Sequence, residues 1–186
     1  VPGDLGTVID IDSLSRGSLA LLADGSLRGW GENYWCGSGT RTLEIPGDLT
    51  GVRELGGGNA HWFYRAFDGT ISGIGCNYNG QLNIPSAVQP PLDFEANESW
   101  SCVLGPDNRL HAMGWGGYGQ LNVPSGSDYV DIACGHYFGL ALTDSGEVFH
   151  WGQNNQGQGD IPVDLGQMDI AAINAGSGFG VAVHPD

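Results

Sequence analysis

The amino-acid sequence predicts an all-β fold, and two observations carry that prediction. First, a turn residue recurs at intervals of 38 to 44 residues, with a similar apolar pattern on either side of it. Second, no segment keeps helical periodicity over the roughly 11 residues that a helix assignment needs. The recurring turn positions are Asp24, Asp68, Asp107, Ser145 and Asp186.

Each repeat is predicted to contain three or four short strands separated by glycine-containing turns. A first apolar run, such as Tyr129–Ile132, is followed by a glycine, and a second run, such as Leu140–Leu142, leads into the turn. An Asp-Gly turn between such runs favours a type I′ β-hairpin, in which both central residues adopt positive φ. Apolar residues occupy the third and sixth positions after the turn marker: Leu27, Ile71, Leu110 and Val148, then Trp30, Ile74, Met113 and Trp151.

Repeats of about 40 residues with this strand content have the size of propeller blades. The chain is therefore predicted to form a single β-propeller domain, 1–186, of about five blades, with a β-solenoid as the alternative. An incomplete fifth blade would leave an unpaired strand edge at Val181–Val183, where self-association is expected. Four repeats occupy approximately 7–50, 51–90, 91–127 and 128–167, and 168–186 plus 1–6 form the partial fifth.

The charge of the chain excludes several classes of partner. All six basic residues are arginine, against 21 acidic residues, and the formal net charge is −15. A chain this acidic repels phosphate backbones, so we expect no nucleic-acid partner. No apolar run approaches the roughly 18 residues of a membrane span, so we expect no membrane insertion. A neutral or basic protein surface, or a glycan, remains as the expected partner.

The repeated motifs resemble the regulator of chromosome condensation repeat family. They combine a glycine followed by an aromatic residue or histidine, then ALxxDG, WGxNxxGQ and a Val-Pro or Ile-Pro pair. The versions GQLNIP (Gly80–Pro85) and GQLNVP (Gly119–Pro124) are most similar to the type II β-lactamase inhibitory proteins. This resemblance implies a β-propeller that binds proteins through two loop sets on one end of the ring. Those relatives have seven blades, whereas this chain has material for about five.

Residues that vary between copies of the same loop are the candidates for binding, because loops carry function more often than the framework does. Tyrosine and tryptophan suit interfaces, since they bring large contact area with few rotors to freeze. For the large rings Trp62, Trp100, Phe138 and Phe179, packing between blades is the equally weighted alternative. The predicted binding residues are Tyr34, Trp35, Tyr78, Asn79, Tyr118 and Asn155 in one loop set, and His61, Trp62, Trp100, His136, Tyr137 and Phe179 in the other.

No catalytic constellation is recognisable, so we predict a non-enzyme without cofactor or metal. The five histidines lack metal-ligand spacing, and neither a nucleophile elbow nor a P-loop occurs. Four buried free thiols are expected, with a Cys36–Cys76 bridge as the alternative. The predicted function is a protein-binding propeller, with enzyme inhibition as one form of it. A lectin-like adhesin and a structural repeat domain of a larger assembly are the alternatives.

Overall fold

A computed structural model describes residues 6–13, 16–34, 40–42, 45–46, 49–165 and 168–185. Within these residues the chain forms fifteen β-strands in five antiparallel sheets, which follow one another along the sequence. A single turn of 3-10 helix, Ser86–Val88, lies between the second and third sheets. The all-β prediction is therefore confirmed, and the five sheets agree with the predicted number of about five blades.

The first four sheets contain three or four strands each, and the fifth contains two. In each sheet, consecutive strands are neighbours. The strands are β1 (Val8–Ser13), β2 (Arg16–Leu22), β3 (Leu27–Tyr34) and β4 (Thr40–Thr42); β5 (Val52–Gly57), β6 (His61–Ala66) and β7 (Ile71–Gly75); β8 (Asp93–Asn97), β9 (Trp100–Leu104) and β10 (Leu110–Gly114); β11 (Tyr129–Cys134), β12 (Phe138–Thr143) and β13 (Val148–Gly152); β14 (Ala172–Ala175) and β15 (Gly180–Val183).

The hairpin turns lie where the repeat markers predict them, but their type differs from the prediction. Positive φ falls on one residue of each turn, for example Gly25 (77°) and Asn108 (59°). In the first turn Gly25 N donates to Leu22 O, and Leu22 N donates to Ser26 O. This is a type I turn followed by a left-handed residue, so the type I′ expectation is wrong. The Asp24 carboxylate stabilises this turn by accepting a hydrogen bond from Ser26 N at 2.9 Å.

The hydrophobic core lies between successive sheets. Trp62 packs with Leu19 and Leu21 between the first and second sheets. Trp100 packs with Trp151 between the third and fourth sheets, and their ring centroids are 6.3 Å apart in an edge-to-face arrangement. Each sheet therefore buries one face against its successor, as blades of a propeller do.

The buried Arg65 ties the second sheet to the segment that leads into the third. Its Nε donates to Glu54 Oε2 at 2.5 Å. Its two terminal nitrogens donate to the backbone oxygens of Pro91 at 2.6 Å and of Leu92 at 3.2 Å. A guanidinium group with only 4% of the residue exposed thus has a partner on each nitrogen.

The cysteines differ from the expectation of four free thiols. Cys76 is disulfide-bonded, so that expectation is wrong at this position. Cys102 and Cys134 are free and buried, and burial raises the pKa of both thiols. Cys36 lies outside the described residues.

Two further expectations concern membranes and the last sheet. Among the described residues, no helix has both the length and the hydropathy to cross a membrane. In β15, Val181 and Val183 are about half exposed. Self-association at this strand stays a prediction, as do the residue boundaries assigned to the repeats.

Candidate functional site

Three equivalent loops on consecutive sheets meet at one carboxylate. Asn59, Glu98 and His136 each lie in the loop before the central strand of their sheet, namely β6, β9 and β12. The side-chain amide of Asn59 donates to Glu98 Oε1 at 3.1 Å, and His136 Nε2 contacts Glu98 Oε2. One side chain therefore connects the loops of three neighbouring sheets.

Trp115, Tyr118, His136 and Tyr137 form an aromatic cluster that borders this carboxylate through two of its members, since His136 contacts Glu98 Oε2 and the Tyr137 hydroxyl lies 3.5 Å from the same oxygen. The Tyr137 ring stacks on His136, with centroids 3.8 Å apart and planes at 20°. Tyr118 lies 4.8 Å from Tyr137, and Trp115 lies 5.4 Å from Tyr118 and 5.5 Å from Tyr137. Such offset and edge contacts are the favourable arrangements of aromatic rings, so the cluster holds its own shape.

Trp115 and Tyr137 of this cluster line a shallow, open pocket of about 370 Å³. Tyr78 and Asn79, from the loop after β7, line the same pocket. Tyr78 is 85% exposed, Tyr118 is 50% exposed and Trp115 is 37% exposed, so the rings remain accessible. The lining residues are Tyr78, Asn79, Ser99, Trp115 and Tyr137.

The recurring amides hold the loops that carry these rings. Gln81 Oε1 accepts from Asn79 N, and Gln120 Oε1 accepts from Tyr118 N, both at 2.9 Å. In the same loop family, Asn77 Oδ1 accepts from Leu82 N at 2.8 Å. Because these side chains satisfy turn N–H groups, the interpretation of the recurring asparagines and glutamines as structural is confirmed.

The glycine that ends the third strand of a sheet, as in β10 and β13, permits close backbone approach. Gly114 has φ 106°, and a Cβ at this position would lie 2.5 Å from Ser99 O. Trp115 N donates to that same oxygen at 2.9 Å. Gly152 stands in the same relation to Tyr137 O. These glycines therefore fix Trp115 and Tyr137 against the neighbouring loop of their own sheet.

Burial governs the electrostatics of the residues beside the cluster. Partial burial raises the pKa of Tyr137, and the nearby Glu98 carboxylate adds to that effect. Desolvation lowers the pKa of His61 to about 4, so its ring is neutral at pH 7. His61 Nε2 shares a 2.7 Å hydrogen bond with Ser101 Oγ.

Three of the predicted binding residues are corrected by the structure. His61, Trp62 and Trp100 have no exposed surface, so they cannot contact a partner directly. The alternative of packing between blades holds for Trp62 and Trp100, and also for the buried Phe138. His61 and Trp100 pair with Gly75 and Gly114 across their hairpins, where a Cβ on the glycine would clash with the backbone of the paired strand.

The remaining predicted residues divide into three groups. Tyr78, Asn79, Tyr118, His136 and Tyr137 are brought together at the aromatic cluster and its pocket. Asn155 is exposed on the loop after β13, and Phe179, 62% exposed, lines a separate pocket of about 340 Å³ together with Gln156 and Val181. Trp35 lies outside the described residues, and of Tyr34 only the backbone is described.

Sequence reasoning missed Trp115 as a binding residue and the central position of Glu98. Trp115 occupies the position of Cys76 and Gln153 in the neighbouring repeats. It therefore varies between copies on a candidate loop, and the criterion applied to Tyr118 would have found it. The position of Glu98 depends on the spacing between sheets, which the sequence does not contain. Within the described part of the chain, no group of three or more His, Cys, Asp or Glu side chains could hold a metal ion.

Comparison with known proteins agrees with the motifs. Residues 129–158 match the Regulator of chromosome condensation (RCC1) repeat. The Probable E3 ubiquitin-protein ligase HERC4 of Mus musculus is 33% identical over 139 residues, which cover 61% of this chain and 13% of that protein. The Ultraviolet-B receptor UVR8 of Arabidopsis thaliana is 26% identical over 176 residues, which cover 75% of this chain and 40% of that protein. The chain thus spans less than half the length of these relatives.

A solved structure shares the fold over nearly the whole chain. Prp20p from Saccharomyces cerevisiae superposes with a TM-score of 0.74 at 17% identity, covering 95% of this chain and 56% of that one. The stacked sheets and this superposition define the class of protein as a β-propeller, which confirms the predicted fold. The repeat match and the relatives show that the chain is similar to RCC1 repeat proteins.

Proposed function

We propose that this propeller binds a protein partner through the surface formed by Tyr78, Trp115, Tyr118 and Tyr137, and that it does so without catalysis. The observation that carries the proposal is the convergence of these rings from three sheets on one accessible surface. Exposed aromatic residues in a rigid frame are the usual energetic centre of protein interfaces.

Rigidity supports this proposal. The loops are held by side-chain amides and by backbone contacts at glycine, so little conformational entropy remains to be lost on binding. The structure of Prp20p is described together with its binding to Gsp1p and histones, and a second structure describes Kap60 bound to yeast RCC1 (Prp20). Protein binding is thus a property of a propeller that shares this fold.

The aromatic arrangement favours one composite site over a sugar pocket in every blade. Tyr78 and Tyr118 occupy different positions of their repeats, because Tyr118 aligns with Asn79 and Gln156, whereas Tyr78 aligns with Gly117 and Asn155. The two tyrosines border the same surface, together with Trp115 and Tyr137. A lectin with one site per blade would instead repeat the same ring in separate pockets.

A photo-crosslinking experiment tests the proposal. The crosslinking residue p-benzoylphenylalanine replaces Tyr118 in one protein and Val163 in another, since Val163 is 95% exposed and lies outside the cluster. In cells that express the chain, Tyr118 should capture a protein that Val163 does not. Equal capture at the two positions would count against the proposed surface.

The captured protein, once purified, gives the quantitative test. Tyr78→Ala and Tyr137→Ala should each weaken its binding by about 1–2 kcal/mol, and Val163→Ala should leave it unchanged. Wild-type affinity in both tyrosine variants would overturn the residue assignment.

Inhibition is a narrower form of the proposal and has its own test. A panel of β-lactamases is titrated while tryptophan fluorescence and residual hydrolysis are recorded. Saturable quenching with loss of hydrolysis supports an inhibitor. If micromolar β-lactamase produces no response, inhibition of these enzymes is ruled out. The proposed binding surface is then tested by crosslinking alone.

A further inference from the structure

We propose that Glu98 and the aromatic cluster form a subsite for one cationic side chain, arginine or lysine, projecting from the surface of the partner. This inference rests on the proposed function and specifies what the partner must present. It follows from the juxtaposition of a carboxylate with several ring faces at the edge of an open pocket.

The ring faces supply the first part of the attraction. A cation within about 6 Å of an aromatic centroid is attracted by the negative face of the ring. Trp115, Tyr118 and Tyr137 have centroids 4.8 to 5.5 Å from one another, so a single guanidinium or ammonium group at this surface meets more than one ring. Tyr78 adds a further exposed ring to the lining of the pocket.

The carboxylate supplies the second part. Glu98 is held at one oxygen by Asn59 and at the other by His136, and its side chain is 34% exposed. Its position is therefore fixed while solvent still reaches it. Tyr137 lines the pocket and its hydroxyl lies 3.5 Å from Glu98 Oε2, so this carboxylate lies beside the space that a partner side chain would enter.

Among its described residues, the chain brings no arginine or lysine to this carboxylate, and His136 is the basic side chain that contacts it. It contains no lysine. Arg65 is buried against Glu54, and Arg109 pairs with Asp107 at 3.6 Å. The net charge of −15 attracts cationic surfaces at long range, so a basic side chain of the partner is the complementary occupant.

The shape of the pocket suits the end of a side chain. About 370 Å³ of open space is a shallow depression that leaves much of a free ligand in solvent. A side chain delivered by a protein surface needs no such enclosure, because contacts around the pocket position it.

Short peptides provide a direct probe. Acetyl-Gly-Arg-Gly-amide, acetyl-Gly-Lys-Gly-amide and acetyl-Gly-citrulline-Gly-amide are titrated into the ¹⁵N-labelled protein in buffer with NaCl near physiological ionic strength. Citrulline keeps the shape of arginine and lacks its charge. The cationic peptides should produce saturable shifts of the Trp115 indole N–H and of the Ser99 and Tyr137 amides at millimolar concentration. The citrulline peptide should bind at least about fivefold more weakly.

Charge-matched variants complete the test. Glu98→Gln should weaken binding of the arginine peptide about fivefold or more, whereas Glu147→Gln removes the same charge from an exposed turn and should have no effect. Tyr78→Ala serves as a second variant, since the 85% exposed ring can be removed without disturbing the core.

The outcomes separate this inference from the proposed function. Equal binding of the arginine and citrulline peptides, wild-type binding by Glu98→Gln, or no shift at all would overturn the cationic subsite. The protein-binding surface would still stand if crosslinking at Tyr118 and the tyrosine variants support it. If neither the peptide titrations nor the crosslinking and tyrosine variants give the expected results, both proposals are overturned.

Discussion

The indole nitrogen of Trp100 lies 3.2 Å from the backbone oxygen of His136 and 3.1 Å from that of Gly135, across the boundary between the third and fourth sheets. A fully buried core residue thus holds the loop that carries His136 and Tyr137. The aromatic cluster owes part of its geometry to a side chain that no partner can reach.

Trp100→Phe should destabilise the protein by about 1–2 kcal/mol, because the buried carbonyls lose their donor. It should also weaken partner binding, since the supporting contact beneath His136 and Tyr137 is removed. Urea unfolding measures the loss of stability. Titration with the purified partner, once crosslinking has identified it, measures the loss of binding. Trp115→Phe is the matched control and should weaken binding while changing stability by less than about 0.5 kcal/mol. Unchanged stability in Trp100→Phe would contradict the role of the indole nitrogen.

Arg65→Leu should destabilise the protein by about 3 kcal/mol, because Glu54 and two backbone oxygens lose a buried charged donor. Arg109→Leu provides the comparison, since Arg109 is 60% exposed and its ion pair is 3.6 Å long. An exposed pair of this kind contributes about 0–1 kcal/mol. Equal unfolding midpoints for the two variants would show that Arg65 does not support the sheet boundary.

Stability should fall as the pH rises from 6.5 to 8. Burial, reinforced by nearby carboxylates including Asp93, raises the pKa of Glu95 from 4.5 to about 8. The folded chain therefore binds more protons than the unfolded chain between these values, and raising the pH favours unfolding. His61, with its pKa lowered from 6.5 to about 4, has the opposite effect below pH 6.5.

Urea unfolding at several pH values between 6.5 and 8 measures this slope. Glu95→Gln should flatten it, and Glu147→Gln should retain it. A wild-type free energy of unfolding that stays constant or rises over this range would show that Glu95 is ionised in the folded protein.

Gly152→Ala should cost more than about 2 kcal/mol of stability. Gly152 has φ 89°, and a Cβ there would lie 2.5 Å from Tyr137 O and 2.9 Å from Phe138 Cα. The substitution combines left-handed strain with a backbone clash. Gly119→Ala separates the two effects, because Gly119 has φ 88° but its nearest neighbour would be 3.5 Å away. We expect Gly119→Ala to destabilise the protein by about 1 kcal/mol. Equal destabilisation by Gly152→Ala and Gly119→Ala in thermal or urea unfolding would show that the backbone clash at Gly152 contributes nothing.

Local patterns predicted the parts of the fold that depend on neighbouring residues. Asp24 and Asp68 mark turns because their side chains bond to the backbone two residues ahead, at 2.9 Å in both cases. The turn type was wrong, since Asp-Gly fits a three-residue loop with one positive φ as readily as a two-residue loop. The preference for free thiols was wrong at Cys76, because a disulfide depends on distances that the sequence does not show.

The candidate site was harder to predict, and equivalent loops show why. Trp100 and Tyr137 are both aromatic residues shortly after the first strand of their repeats. Trp100 pairs with Gly114 and its ring is buried in the core. In the next repeat the equivalent residue is Phe138, which pairs with Gly152, and Tyr137 is the residue before it. A difference of one residue along the strand reverses the face of the side chain.

The sequence by itself determined the repeat, the turns, the acidic charge and the existence of variable aromatic loops, because these properties arise from residues close together in the chain. Only the tertiary structure decided which rings form a site. Tyr78, Trp115 and Tyr137 come from three repeats and meet because consecutive sheets pack face to face. The same packing places Glu98 between Asn59 and His136, and so puts a carboxylate beside the rings.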